Sequence, residues 1–455
     1  MEREVLLNVS PIDGRYYDIT KDLEDYFSEY AYIKYRVFIE CEWLKFFCKI
    51  VLKKHIDRTK IDSIYKNFNL TNAHRVKEIE KDTNHDVKAI EYFIREKLED
   101  MDMEDFIPFV HFACTSEDIN NLAQSVMIKK FVNEKISDQI KELINTVEKR
   151  AFETRSTPML AHTHGQPATP TTIGKELEVF VYRWRKIAKK IGDIEITGKF
   201  SGAVGNYAAH IVAYPDVDWI TISKEFVESL GLTYNPLTTQ IESHDTLCEI
   251  LSMVKLFNNI TLDYNSDMWM YISMRYFKQK TVEKETGSSV MPHKVNPINH
   301  ENSMANIHIC NSLIDGMVNN LQISRMQRDL SDSSTIRNLG SIAGYMLISI
   351  TQTIKGTLKM QVNEKVLNDE LDNSPEVISE AIQTVLRKNG VDNAYELLKS
   401  FTRGKEVTSK DIKDFILSLH ITPEDKDRLF SLTPRTYVGL SNIIVEQNVN
   451  NKSFD

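Results

Sequence analysis

Glycine and proline are scarce in this chain, 16 and 12 among 455 residues, and they leave long gaps. Neither occurs between Arg15 and Ile107 or between Leu237 and Thr286, and no proline falls from Ile298 to Ser374. Sandwiches and barrels need turn formers every ~8–12 residues, so those segments are not β-rich and are expected to be helical. Disulfide logic is also missing. Five cysteines, Cys41, Cys48, Cys114, Cys248 and Cys310, are odd in number and form no Cys-x-x-Cys pair, so reduced thiols packed in helices are expected. No apolar run reaches membrane-spanning length, and Met1-Glu2-Arg3-Glu4 carries none of a signal peptide's apolar stretch; a cytoplasmic protein without membrane partners is expected. A basic excess is absent too. With 56 Lys+Arg against 65 Asp+Glu the formal net charge is −9, which excludes a global field that gathers nucleic acid. An anionic ligand would need its cations collected locally.

The length suffices for two or three domains with a large core. Within the 237–286 gap, Ile250, Leu251, Val254, Phe257 and Leu262 recur at helical intervals. A single helix over that gap would run ~75 Å at ~1.5 Å per residue. Such a helix needs partners along its length. The expected fold is therefore all-α: a helical domain over 1–114, a central long-helix bundle over 115–364 and a small helical domain over 365–455. Segments 116–153, 170–193 and 300–358 are the expected further bundle members. Gly198–Tyr207 is glycine-rich but lacks the Lys-Ser/Thr ending of a phosphate loop, so it reads as a connection.

Chemistry concentrates in a few strings. Residues 287–302 read Gly-Ser-Ser-Val-Met-Pro-His-Lys-Val-Asn-Pro-Ile-Asn-His-Glu-Asn. Ser288, Ser289, Lys294 and Asn296 are hydrogen-bond donors suited to closing over a carboxylate, and Pro292 and Pro297 stiffen the flanks. His162 and His164, in Ala-His-Thr-His-Gly-Gln-Pro-Ala, sit two apart on a segment read as a loop rather than a strand. Metal ligation, plain structural bonding and proton transfer near neutral pH are all open to them. Thr115-Ser116-Glu117-Asp118-Ile119-Asn120-Asn121 has the cap hydroxyl and early acids of a helix start, whose N–H groups also bind carboxylates. Cations gather at Ser10-Pro11-Ile12-Asp13-Gly14-Arg15-Tyr16 and between Arg325 and Arg337, where Arg328 and Arg337 flank Ser333. Guanidinium beside hydroxyl suits a phosphate monoester.

Gly-Ser-Ser-x-Met-Pro-x-Lys-x-Asn-Pro resembles the signature loop of the fumarase/aspartase superfamily, and Thr-His-Gly-Gln-Pro-Ala and Thr-Ser-x-Asp-x-x-Asn resemble two more of its strips. Ser-Pro-Ile-Asp-Gly-Arg-Tyr, Thr83-Asn84-His85-Asp86-Val87 and His293 narrow the resemblance to the adenylosuccinate lyase branch, over about residues 8–345. Lys294-Val295-Asn296 is similar to the bacterial type; at Asn302 the other type has an arginine nearby, which leaves a phosphate contact there open. The resemblance implies a three-domain fumarase/aspartase-like fold and cofactor-free elimination of fumarate from adenylosuccinate, and from the succinylated aminoimidazole carboxamide nucleotide. It implies Ser288 as general base and His164 as proton donor. Thr115, Ser116, Ser289, Lys294 and Asn296 would hold the carboxylate and Gln240 the succinyl group. Arg15, Tyr16, Arg328, Ser333 and Arg337 would contact the nucleotide and its phosphate, His85 would orient His164 or contact the phosphate, and Asn84 and Asp86 would bind substrate from the same strip. No metal is implied, and the partner expected is a second, third and fourth copy of the chain, in a homotetramer whose sites three subunits share. A sister lyase acting on argininosuccinate or malate, a His-x-His metal hydrolase and a non-enzymatic relative are the competing classes.

Overall fold

The computed structural model describes residues 5–280, 291, 294–404 and 407–450. Helices dominate, and the only strands among the described residues are three two-stranded pairs, so the fold is all-α as expected. The chain divides into two compact units.

One unit comprises Met1–Ile140, Ile187–Asn259 and Ala305–Thr351. Its organising element is the helix Glu29–Ile50, started by Ser28, whose Oγ accepts from the Ala31 N–H at 3.1 Å. This helix is apolar on two faces and buried on both. Ile33, Val37, Cys41, Leu44 and Cys48 join a core with the helices Arg58–Lys66, Leu70–Thr83 and Asp86–Glu99. Ile39, Trp43 and Phe47 enter a second core with the helices Ser116–Lys130 and Trp219–Ser229. There Trp43 meets Phe200 at 4.3 Å and Phe226 at 5.0 Å between ring centroids, burial that aromatic area makes favourable.

The other unit comprises Lys141–Lys186, Ile260–Met304 and Gln352–Asp455. It holds a polar seam: Asn265 Nδ2 donates to Ser303 Oγ and Thr353 Oγ1 at 3.2 and 2.9 Å, and Tyr264 and Thr357 share a hydroxyl bond of 2.7 Å. His300, with Nδ1 2.7 Å from Asn265 Oδ1, is pushed down to about 4 by burial and stays neutral. Seven short helical segments follow from Glu364 to Asn450.

The long-helix expectation is met by Ile173–Asp193, Asp245–Ser273, Ile298–Leu321 and Leu339–Lys359. Segment 116–153 is helical throughout, with a π turn at Phe131–Ile136. Two expectations are corrected. Segment 300–358 is not one helix, because Leu321 and Leu339 bound a break that holds only the short helix Ser331–Ile336. No glycine or proline marks that break. Asp329 makes it, accepting from the Arg325 and Ser331 N–H groups at 3.0 and 2.9 Å in competition with helical bonding. The His162–His164 run is not a loop either. Pro158–Thr163 and Gln166–Thr172 pair as an antiparallel hairpin, and His164 and Gly165, at φ 53° and 71°, form its two-residue turn. Both turn residues take the left-handed conformation that suits strand twist. The prolines at 158, 167 and 170 disguised the strands.

Among the described residues no helix is long and apolar enough to cross a membrane. Glu178 is buried, its Oε2 lacks a partner, and Asn448 donates to its Oε1. Burial pushes its carboxyl up to about 7, against the Asn448 bond that lowers it. A raised carboxyl favours the fold below its unfolded value near ~4.5 and loses that contribution as pH rises through ~7. Glu178→Gln is therefore expected to raise the thermal midpoint by a few degrees at pH 8 and to leave it unchanged at pH 4.5, read by calorimetry.

Candidate active site

The first unit holds an open cavity of ≈ 550 Å³. His85, Asp86, Thr115 and Ser116 line it together with Gln240, Arg328, Ser333 and Arg337, all eight of them nominated from the sequence. Arg36, Asn120 and Gln124 line it too and were missed. Arg15 lies exposed and Tyr16 half-buried in the Ser10–Tyr16 turn, and neither lines the cavity. Asn84 takes a left-handed conformation between the helices Leu70–Thr83 and Asp86–Glu99 and is likewise off the lining. His164, exposed on its hairpin turn, belongs to the second unit, as do Lys294, Asn296 and Asn302. Ser288, Ser289 and His293 lie outside the described residues.

The rim at Thr115 and Ser116 is fixed from beneath. Asp118 is fully buried, and its Oδ2 accepts from the Thr115 N–H at 2.9 Å, half of a capping box. Its Oδ1 stands 2.8 Å from Lys199 Nζ and accepts from the Ser201 N–H at 2.9 Å. Asn121 completes the clamp, with Oδ1 accepting from Lys199 N–H at 2.8 Å and Nδ2 donating to Lys199 O at 3.0 Å. The Asp and Asn of Thr-Ser-x-Asp-x-x-Asn thus tie a helix start to the 199–202 segment. A cap alone would not need both.

The cations are individually paired. Arg328 lies 2.9 Å from the buried Glu117 carboxylate, donates to Ser333 Oγ at 3.2 Å, and reaches Gln240 Oε1 at 3.4 Å. Ser333 Oγ is also held by Asp332, which faces His244 at 3.5 Å. Burial raises the Asp332 carboxyl, but the His244 and Arg328 interactions outweigh it and hold the group below the usual range. Arg337 pairs with Glu29 and comes within 3.9 Å of Asp86. His85 caps its helix by accepting the Lys88 N–H on Nδ1 at 3.1 Å, which leaves the proton of the neutral ring on Nε2. The site is a polar cavity with guanidinium and hydroxyl donors for an anionic ligand, inside an acidic chain. Glu117 was legible only as a variable position inside its motif, and Arg36 had no local signal.

Comparison with known proteins decides the family. A lyase family profile matches residues 15–311, and an adenylosuccinate lyase C-terminal profile matches 324–438. Adenylosuccinate lyase of Buchnera aphidicola subsp. Schizaphis graminum is 48% identical over 454 residues, which cover 98% of this chain and 100% of that one. The chain belongs to the adenylosuccinate lyase family. The Escherichia coli adenylosuccinate lyase is 46% identical, with the same 98% and 100% coverage. Among solved structures, a fumarate lyase from Mesorhizobium superposes with a TM-score of 0.76 at 17% identity, over 95% of this chain and 98% of that one. A 3-carboxy-cis,cis-muconate lactonizing enzyme from Pseudomonas putida gives 0.74 at 19%, over 97% and 100%. These two likenesses speak for the fold alone. The adenylosuccinate lyase C-terminal match takes in Arg328, Ser333 and Arg337.

Because Glu117 is sealed from water, removing its guanidinium partner strands a charge. Arg328→Met is expected to cost about 3 kcal/mol of stability. Adding Glu117→Gln to that variant should recover most of the loss in thermal unfolding.

Proposed function

We propose that this chain is an enzyme that cleaves adenylosuccinate to fumarate and AMP by β-elimination, and the succinylated aminoimidazole carboxamide nucleotide in the same way. The observation that carries this reading is one cavity in which Arg328, Arg337, Ser333, Thr115 and Ser116 converge, in a chain of this family. Its ≈ 550 Å³ suits a nucleotide, and its donors suit a phosphate and carboxylates.

The difficult step is loss of a proton beside a carboxylate, which loads negative charge onto that carboxylate. Ser288, held as the alkoxide by its surroundings, takes the proton from the succinyl carbon on Oγ, the electron pair forms the carbon–carbon double bond, and the carbon–nitrogen bond breaks. His164 then gives a proton to the departing purine nitrogen, so fumarate and AMP leave with charge balanced. Ser289, Lys294 and Asn296 stabilise the developing charge, together with Thr115 and Ser116. Arg15, Tyr16, Asn84, His85 and Asp86 join Arg328, Ser333 and Arg337 on the nucleotide, with Gln240 on the succinyl group. Asn302 joins the substrate-binding set on the resemblance alone, its phosphate contact left open. These roles rest on the motif resemblance; sharing one cavity supports those of His85, Asp86, Thr115, Ser116, Gln240, Arg328, Ser333 and Arg337, whereas the others rest on the resemblance alone.

A homotetramer with shared sites is part of the same reading. Val179, Tyr182, Leu256, Met270 and Ile309 are apolar residues exposed on the long helices, which packing between copies of the chain would remove from water. A cytoplasmic location belongs to the same reading.

The test is the ultraviolet change on mixing the purified protein with adenylosuccinate, with and without EDTA. Equal fumarate and AMP in both conditions are expected, with losses of about 10²-fold or more in His164→Ala and Ser288→Ala. Absence of turnover, or turnover that EDTA abolishes, would sink the proposal.

A further inference from the structure

Arg36 sits in the middle of the helix Glu29–Ile50, 4% exposed, and lines the cavity without belonging to any motif. Its Nη2 lies 3.0 Å from Asp86 Oδ2, while Nε and Nη1 are buried with no hydrogen-bond partner among the described residues. Such a group is a poor stabiliser. A buried ion pair rarely outperforms a well-packed apolar pair, and each unpaired donor forfeits its hydration. Stability does not account for an arginine here.

Its neighbours suggest what does. The Arg36 guanidinium lies over the Tyr32 ring at 5.7 Å, and Arg337 lies over that same ring at 5.8 Å. Both arginines also approach one carboxylate oxygen: Asp86 Oδ2 is 3.0 Å from Arg36 and 3.9 Å from Arg337. The nearer arginine has the oxygen. Arg337, held otherwise by the exposed Glu29, remains at the margin of ion-pair distance.

We propose that Arg36 is a positioning residue that saturates the Asp86 carboxylate and so keeps Arg337 available to the phosphate of a nucleotide substrate. Its unpartnered donors are sealed from solvent, so it acts through Asp86 and the Tyr32 ring rather than on the ligand. Without its charge, Asp86 draws Arg337 in, and the guanidinium meant for the phosphate is spent on a side chain. This inference rests on the proposed nucleotide chemistry of the cavity and adds to it a determinant of phosphate recognition.

The experiment compares kcat/KM for adenylosuccinate with that for its dephosphorylated counterpart, succinyladenosine, in the full-length enzyme. Calorimetric binding of AMP and adenosine runs in parallel. Arg36→Met is expected to lower the preference for the phosphorylated compound roughly tenfold or more, mainly through KM. Arg36→Lys, which keeps a charge for a one-atom contact, should stay within roughly threefold of wild type. Arg36→Gln takes the place of Arg36→Met if that variant does not fold. Equal losses on both compounds would mark a merely structural residue and overturn the proposal, as would an unchanged preference. A wild-type protein that cleaves neither compound and binds no AMP would overturn the functional reading and this inference with it.

Discussion

The buried carboxylate of Asp118 is the constraint on which the first unit's cavity depends. One side chain accepts from Thr115 at a helix start, from Ser201 in a separate segment, and faces the ammonium of Lys199. Fully buried charges survive only when paired and hydrogen-bonded, and this pair meets both conditions. The cost of breaking it is what makes it a fixed point. The helix Ser116–Lys130 begins where Asp118 dictates, so Thr115 and Ser116 hold their places on the cavity rim. The same clamp holds Phe200, one residue after Lys199, against Trp43, which couples the rim to the core of the helix Glu29–Ile50.

Around that fixed point the cavity solves a charge problem. An acidic chain that takes an anionic ligand must concentrate arginines, and arginines left alone would repel one another. Here each guanidinium has a carboxylate: Arg328 has Glu117, Arg36 has Asp86, and Arg337 has Glu29. A guanidinium carries five N–H donors, so one carboxylate does not exhaust it. The arrangement keeps the cavity near neutrality while leaving guanidinium donors over, which the proposed phosphate and carboxylate contacts would use. It also explains why carboxylates accompany the arginines of this cavity.

Much of this was legible in the sequence, for identifiable reasons. Gaps without glycine or proline announced the helices, because helix tolerates such runs and β structure does not. Motifs of fixed spacing announced His85, Thr115 and Ser116, and a local cluster of arginines and serines announced Arg328, because local strings are what a sequence displays. Contacts between distant segments were hidden. Nothing near Arg36 in the chain announces a partner at Asp86, fifty residues on, and nothing in Glu117 announces Arg328. The hairpin at His164 was obscured by its prolines, and the break after Leu321 by the absence of any breaker. In that second case side-chain bonds from Asp329 did what glycine or proline usually does.

The most direct test of the clamp is amide hydrogen exchange in Asp118→Asn against wild type, with and without AMP. The account predicts exchange faster by roughly tenfold or more at Thr115, Ser201 and Gly202, whose N–H also donates to Asp118 Oδ2 at 3.1 Å, weaker AMP protection of the cavity rim, and no change in the helix Arg58–Lys66. Unchanged exchange at those three amides, with AMP protection intact, would contradict it.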